Sequence, residues 1–124
     1  MAQMPIEKYE DVNLEDISFT ANTTYINNTT PLYFKYDNKT GLLHFYGYFS
    51  VATQIPAKTT MFTLNGFKNA SYVIKYLIIS NFTNPSDTIV IQFSGNSNYI
   101  ASADSVVPTG SFMISGCVPV VRTS

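Results

Sequence analysis

A chain of 124 residues is the length of one domain, and folding at this size removes roughly two thirds of the unfolded surface from water. A formal net charge of −1, with 12% charged side chains and seven scattered Lys and Arg, excludes a nucleic-acid binder, because neutralising phosphates takes clustered cations. No apolar run reaches the ~20 residues of a membrane-spanning helix, and Met1-Ala2-Gln3-Met4-Pro5 does not open into the apolar block of a signal peptide, so a soluble chain without membrane insertion is expected.

Residues 1–14 hold Glu7, Glu10 and Asp11 among few apolar side chains. Such a segment buries little, so it reads as a mobile or extended lead-in, or the junction with a stem, ahead of a single β-domain over residues 15–124. The acidic residues up to Asp16 read as a solvated stretch. From Ile17 the pattern becomes β, with Ile17-Ser18-Phe19-Thr20 alternating and Tyr25-Ile26 forming a short edge strand inside an Asn/Thr-rich connection. Asn-x-Ser/Thr triplets at Asn22, Asn27, Asn28, Asn38, Asn69 and Asn81 read as surface and turn chemistry rather than glycan acceptors.

Pro31 to Tyr36 and the run from Gly41 to Val51 are joined by Asp37-Asn38-Lys39-Thr40, a hairpin signal. Side chains of a strand alternate between faces, so Leu43, Phe45, Phe49 and Val51 share one side with Gly47 between them. The hairpin places Leu32 and Phe34 beside that row. The other side carries Leu42, His44, Tyr46, Tyr48 and Ser50, apolar in body and polar at the tip, which suits a half-wet surface or a partner.

Pro56 cannot donate to a ladder, so Ile55-Pro56-Ala57-Lys58 is a turn, and Thr60 to Leu64 is a strand ending at Asn65-Gly66. Ser71 to Ser80 has β-branched and aromatic residues on both sides, as a central strand covered on two faces does. Asn84-Pro85-Ser86-Asp87 turns the chain into the strand Thr88 to Ser94, and Gly95-Asn96-Ser97-Asn98 turns it into Tyr99 to Ala103. The last strand, Ser111 to Val121, repeats the central device: Phe112, Ile114, Gly116, Val118 and Val120 form an apolar row interrupted by Gly. Seven to nine short strands at this spacing, without a helical period, predict an all-β antiparallel sandwich or jelly roll. Cys117, the single cysteine, reads as a buried, idle thiol of the last strand.

The run Gly41-Leu42-Leu43-His44-Phe45-Tyr46-Gly47 is followed by Ile55-Pro56-Ala57-Lys58-Thr59-Thr60-Met61-Phe62-Thr63-Leu64, and the chain closes with Val107-Pro108-Thr109-Gly110-Ser111-Phe112. Over about residues 31 to 121 this order resembles the head domains of bacteriophage tail-fibre and baseplate receptor-binding proteins. It departs from them at Lys58, where Gly is common, and at Asn65, where Pro is common. The resemblance implies a homotrimer at a virion tail tip, held by other phage tail or baseplate proteins and binding saccharide on the bacterial cell surface.

Catalysis has few candidates. One His, one Cys and, beyond the lead-in, only Asp37, Asp87 and Asp104 leave no metal cluster and no carboxyl pair for glycoside hydrolysis, so neither an enzyme nor a cofactor is expected. Saccharides are held by aromatic faces together with amides and carboxylates, and Asn96, Asn98, Tyr99 and Asp104 supply both around the Gly95 turn. They are the candidate saccharide site. His44, Tyr46 and Tyr48 are the candidate subunit interface or second binding patch, and a purely structural module without a sugar site is the alternative reading.

Overall fold

The computed structural model describes residues 14–70, 76–95 and 98–123. Among them are eleven strands and no helix: β1 (Leu14–Ile17), β2 (Thr20–Ala21), β3 (Ile26–Asn28), β4 (Leu32–Asp37), β5 (Leu42–Val51), β6 (Thr60–Asn65), β7 (Phe67–Asn69), β8 (Tyr76–Asn81), β9 (Thr88–Ser94), β10 (Asn98–Ala103) and β11 (Gly110–Arg122). All pair antiparallel along the path β1-β4-β5-β11-β8-β9-β10-β6-β2, with β3 beside β5 and β7 beside β11. The all-β, single-domain expectation is met. The strand number exceeds the seven to nine expected because some strands, such as β2 and β7, are only two or three residues long, too short for alternation to register, whereas β3 meets the short edge strand expected at Tyr25-Ile26.

The alternation in β5 sorts as the sequence predicts, with Leu43, Phe45, Phe49 and Val51 buried. In the β4–β5 hairpin Phe34 stands opposite Phe45 and Tyr36 opposite Leu43, which extends the row to a second strand. Phe45 also lies 5.1 Å from Phe93 of β9, and Phe49 meets Phe62 of β6 edge-on at 5.0 Å. Neither β6 nor β9 is paired with β5, so these contacts bridge the interior of a sheet curled over on itself. Burying these aromatic rings and their aliphatic neighbours holds the two halves together.

Gly47 interrupts the apolar row for a physical reason. Its φ is +122°, and a Cβ there would run into the Pro31 carbonyl, which instead accepts the Tyr48 N–H at 2.9 Å. Backbone therefore takes the place of a side chain where the chain enters β4. Elsewhere the Asn and Asp residues build turns: Asn22, Asn28, Asp37 and Asn81 each accept a backbone N–H two residues on, at 3.2, 3.0, 2.9 and 2.9 Å. Three of these Asn residues belong to the Asn-x-Ser/Thr triplets, in keeping with turn chemistry.

Two expectations need correcting. Among the described residues strand structure is already present at Leu14, ahead of Ile17, because Leu14–Ile17 pairs along β4; Glu15 and Asp16 stay exposed, as a solvated stretch does, but Arg122 holds Glu15 through two 2.6 Å hydrogen bonds and Lys35 lies 2.9 Å from Asp16. The lead-in over residues 1–13 and the first half of the Ser71–Ser80 run lie outside the described residues. The described half, β8, is not covered on both sides, since Tyr76 and Ile78 are 52% and 59% exposed.

Candidate functional site

The side of β5 away from the core belongs to a continuous face made by β4, β5, β11, β8 and β9, about 20 Å across at ~4.8 Å per strand. Three rows define it. In the first, Asp16, Lys35, His44 and Cys117 stand in register across β1, β4, β5 and β11. The Asp16 hydrogen bond raises the Lys35 ammonium above its usual pKa and offsets that cation. In the second, Tyr33 and Tyr46 face each other with ring centroids 5.2 Å apart, and each is 45% exposed. The third runs Tyr48, Met113, Ser80 and Thr88, with the exposed Phe82 ring 5.3 Å from Tyr48. Ile78 opposite Val90 adds an exposed aliphatic pair.

The structure thus brings His44, Tyr46 and Tyr48 together on one face, with His44 and Tyr48 half-buried. Sequence reasoning missed Tyr33, Ile78, Phe82 and Met113 as their neighbours. The hairpin register would have found Tyr33; the others depend on which strands lie beside β11, a non-local pairing. Cys117 corrects the sequence reading, for it is exposed and directly opposite His44. Gly116 and Cys117 lie side by side in the strand, and it is Gly116 that faces inward, against Phe45.

The Asn96, Asn98, Tyr99 and Asp104 group does not assemble as expected. Tyr99 is fully buried, its ring stacked 5.6 Å from Phe93, and it offers no face to a sugar. Alternation explains this: in β10, Tyr99, Ala101 and Ala103 are buried. Asn98 opens β10 and Asp104 follows its end, roughly 20 Å apart at ~3.3 Å per residue. Both are exposed; Asn96 lies outside the described residues.

The described residues also form concave sites, two of which bear on function. One, of about 220 Å³, is lined by Glu15, Ser18, Thr63, Asn65, Phe67 and Arg122 among others, and its cation is already neutralised by Glu15. The other, of about 470 Å³, lies between the Asn81–Thr88 loop and the Ser105–Pro108 turn. Among the described residues no group of three or more His, Cys, Asp and Glu could hold a metal ion.

The phrases Ile55-Pro56 and Val107-Pro108, distant in sequence, are joined by reciprocal hydrogen bonds of 2.9 Å between Ile55 and Val107. Lys58 beside them has φ +64°, the left-handed conformation that favours Gly. Compared with protein-family models, with curated proteins and with solved structures, the chain finds no significant match.

Proposed function

We propose that this chain is a receptor-binding head of the kind its sequence resembles in bacteriophage tail fibres and baseplates: a non-enzymatic adhesion module, trimeric at the virion tail tip, that recognises bacterial surface saccharide. The observation that carries the reading is the exposed aromatic face of Tyr33, Tyr46, Tyr48 and Phe82. Contiguous apolar patches above a few hundred Å² mark contact surfaces on soluble proteins, and Tyr is favoured where a ring is covered while its hydroxyl stays wet. Its partner is a second copy of this chain. The face carries little charge, Lys35 being offset by Asp16, so identical copies approach without repulsion. Two further observations support the resemblance: its separated Ile-Pro and Val-Pro phrases are neighbours in space, and Lys58 adopts the backbone conformation natural to the Gly it replaces.

Weak single sites joined in a trimer gain by avidity. Tyr46→Glu combined with Tyr48→Glu places charge on exposed or half-buried positions, so the fold should survive while assembly fails. Retention on bacterial cells should then fall at least about tenfold relative to the parent. Equal retention of an unassembled variant contradicts the reading. The second reading, a structural tail module without a sugar site, is favoured by the burial of Tyr99; it predicts assembly without retention on any cell.

A further inference from the structure

The geometry points to the cleft between the Asn81–Thr88 loop and the Ser105–Pro108 turn as a binding site for a neutral saccharide; this rests on the adhesion reading and gives it a place on the molecule. At about 470 Å³ the cleft has the size of a small-ligand site and room for a short oligosaccharide. Its walls combine the amide of Asn81, the hydroxyls of Ser86, Thr88 and Ser105 and the Asp87 carboxylate with the exposed Val106. Hydroxyl-rich rings need this mixture of acceptors, donors and an apolar contact.

Charge narrows the class. Asp87 is the single ionisable residue lining the cleft, and no Lys, Arg or His accompanies it among the described residues. A phosphate, uronate or sialate would meet a carboxylate without a cation to offset it, whereas a neutral sugar can donate two hydroxyls to that carboxylate.

The loop is already set for this. Asn81 Oδ1 accepts the N–H groups of Thr83 and Asn84 at 2.9 and 3.0 Å, and Ser86 Oγ donates to Asn84 Oδ1 at 2.9 Å. Asn84 Nδ2 donates to one oxygen of Asp87 at 3.1 Å, which orients the carboxylate and leaves its other oxygen for a ligand. At the loop's base, the Asn81 and Asp87 backbones are joined at 2.9 Å, and the Phe82 N–H donates to the Ser111 carbonyl at 2.7 Å. The opposite wall is fixed by the Ile55–Val107 bridge. A site ordered before binding loses less entropy when it is filled. The loop also presents Phe82 to Tyr48, so the cleft sits at the rim of the aromatic face rather than beneath it.

The test applies the intact protein to an array of neutral hexose and N-acetylhexosamine oligosaccharides with uronate and sialate controls. The parent, Asp87→Asn and Ser105→Tyr are compared, with thermal midpoint and mass showing that each variant is folded and assembled. Asp87→Asn keeps one acceptor oxygen for Asn84 but removes the charge and turns the ligand-facing oxygen into an NH2 donor, and Ser105→Tyr fills the cleft from an exposed position. Binding of the parent to neutral glycans, reduced about tenfold to hundredfold in Asp87→Asn and lost in Ser105→Tyr, is the expected result. If the parent binds and both variants bind equally, the cleft assignment fails while the adhesion reading stands. If the parent prefers the acidic controls, the charge argument fails. If it binds no glycan, the proposal falls together with the saccharide reading.

Discussion

At the scale of single residues, Tyr99 shows how a side chain's chemistry and its location can part company. Its hydroxyl is buried and finds no hydrogen-bond partner among the described residues. An unsatisfied polar atom in a core costs free energy, so removing it alone should be harmless. Tyr99→Phe is expected to leave stability within about 1 kcal/mol of the parent or above it, whereas Tyr99→Ala should lose about 3–5 kcal/mol, as large aromatic truncations do. Burial also holds the Tyr99 phenol above its ordinary value of 10.0. The unfolded chain releases that proton near 10 and the folded one does not, so stability is full below pH 10 and falls as pH rises through it. Tyr99→Phe should flatten that alkaline decline in denaturant titrations; an unchanged slope would assign it to other groups. Nothing local in the sequence distinguished this Tyr from Tyr46. Each stands beside Gly or Asn in a strand-like run, and only the parity of β10 relative to Ala101 and Ala103 separates core from surface.

At the scale of elements, alternation was legible wherever a strand had length. β4, β5 and β11 are long enough for period two to show, and the apolar side chains of their inward rows are buried as the pattern predicts, with Gly47 half-buried and Gly116 exposed between them. Three kinds of information were not legible. Strands of two or three residues carry no period. The neighbours of β11, namely β5 on one side and β8 and β7 on the other, come from long-range pairing that no local signal encodes. The latch on β1 joins Glu15 to Arg122 near the opposite end of the chain. Arg122 also lies over the rings of Tyr36 and Phe67, 5.3 and 5.4 Å from their centroids, so one guanidinium ties β1, β4 and β7 to the end of β11. Its hydrogen bonds lower the Glu15 carboxyl below the ordinary 4.5, so the contribution of the pair is present above that value and lost as pH falls through the lowered one. Amide protection factors in β1, corrected for the intrinsic pH dependence of exchange, should therefore fall on acidification below the ordinary 4.5 and in high salt, before those of β5 are affected. Arg122→Ala should produce the same local opening at neutral pH. Release of β1 only together with β5 would show that the latch has no separate role.

At the scale of the whole molecule, the curled sheet has an aromatic interior and an aromatic exterior, and only the first is required to fold one chain. The interior joins Phe34, Phe45, Phe49, Phe62 and Phe93 across the curl. The exterior sets Tyr33, Tyr46 and Tyr48 on strands whose other sides are already packed, with Phe82 reaching Tyr48 from the loop that follows β8. The sequence located half of that outer face through the β5 alternation and grouped Asn98, Tyr99 and Asp104, which the fold does not bring together on one surface, because a turn rich in Asn says where a chain reverses and not which side chains converge. The cleft walls come from segments 81–88 and 105–108, brought together by the fold alone.

The claim that the outer face is a contact between copies is tested most directly by the mass of the parent protein in light scattering across a dilution series. The account predicts three chain masses at high concentration, falling toward one on dilution or in the Tyr46→Glu, Tyr48→Glu variant. A single chain mass at every concentration of the parent would contradict it.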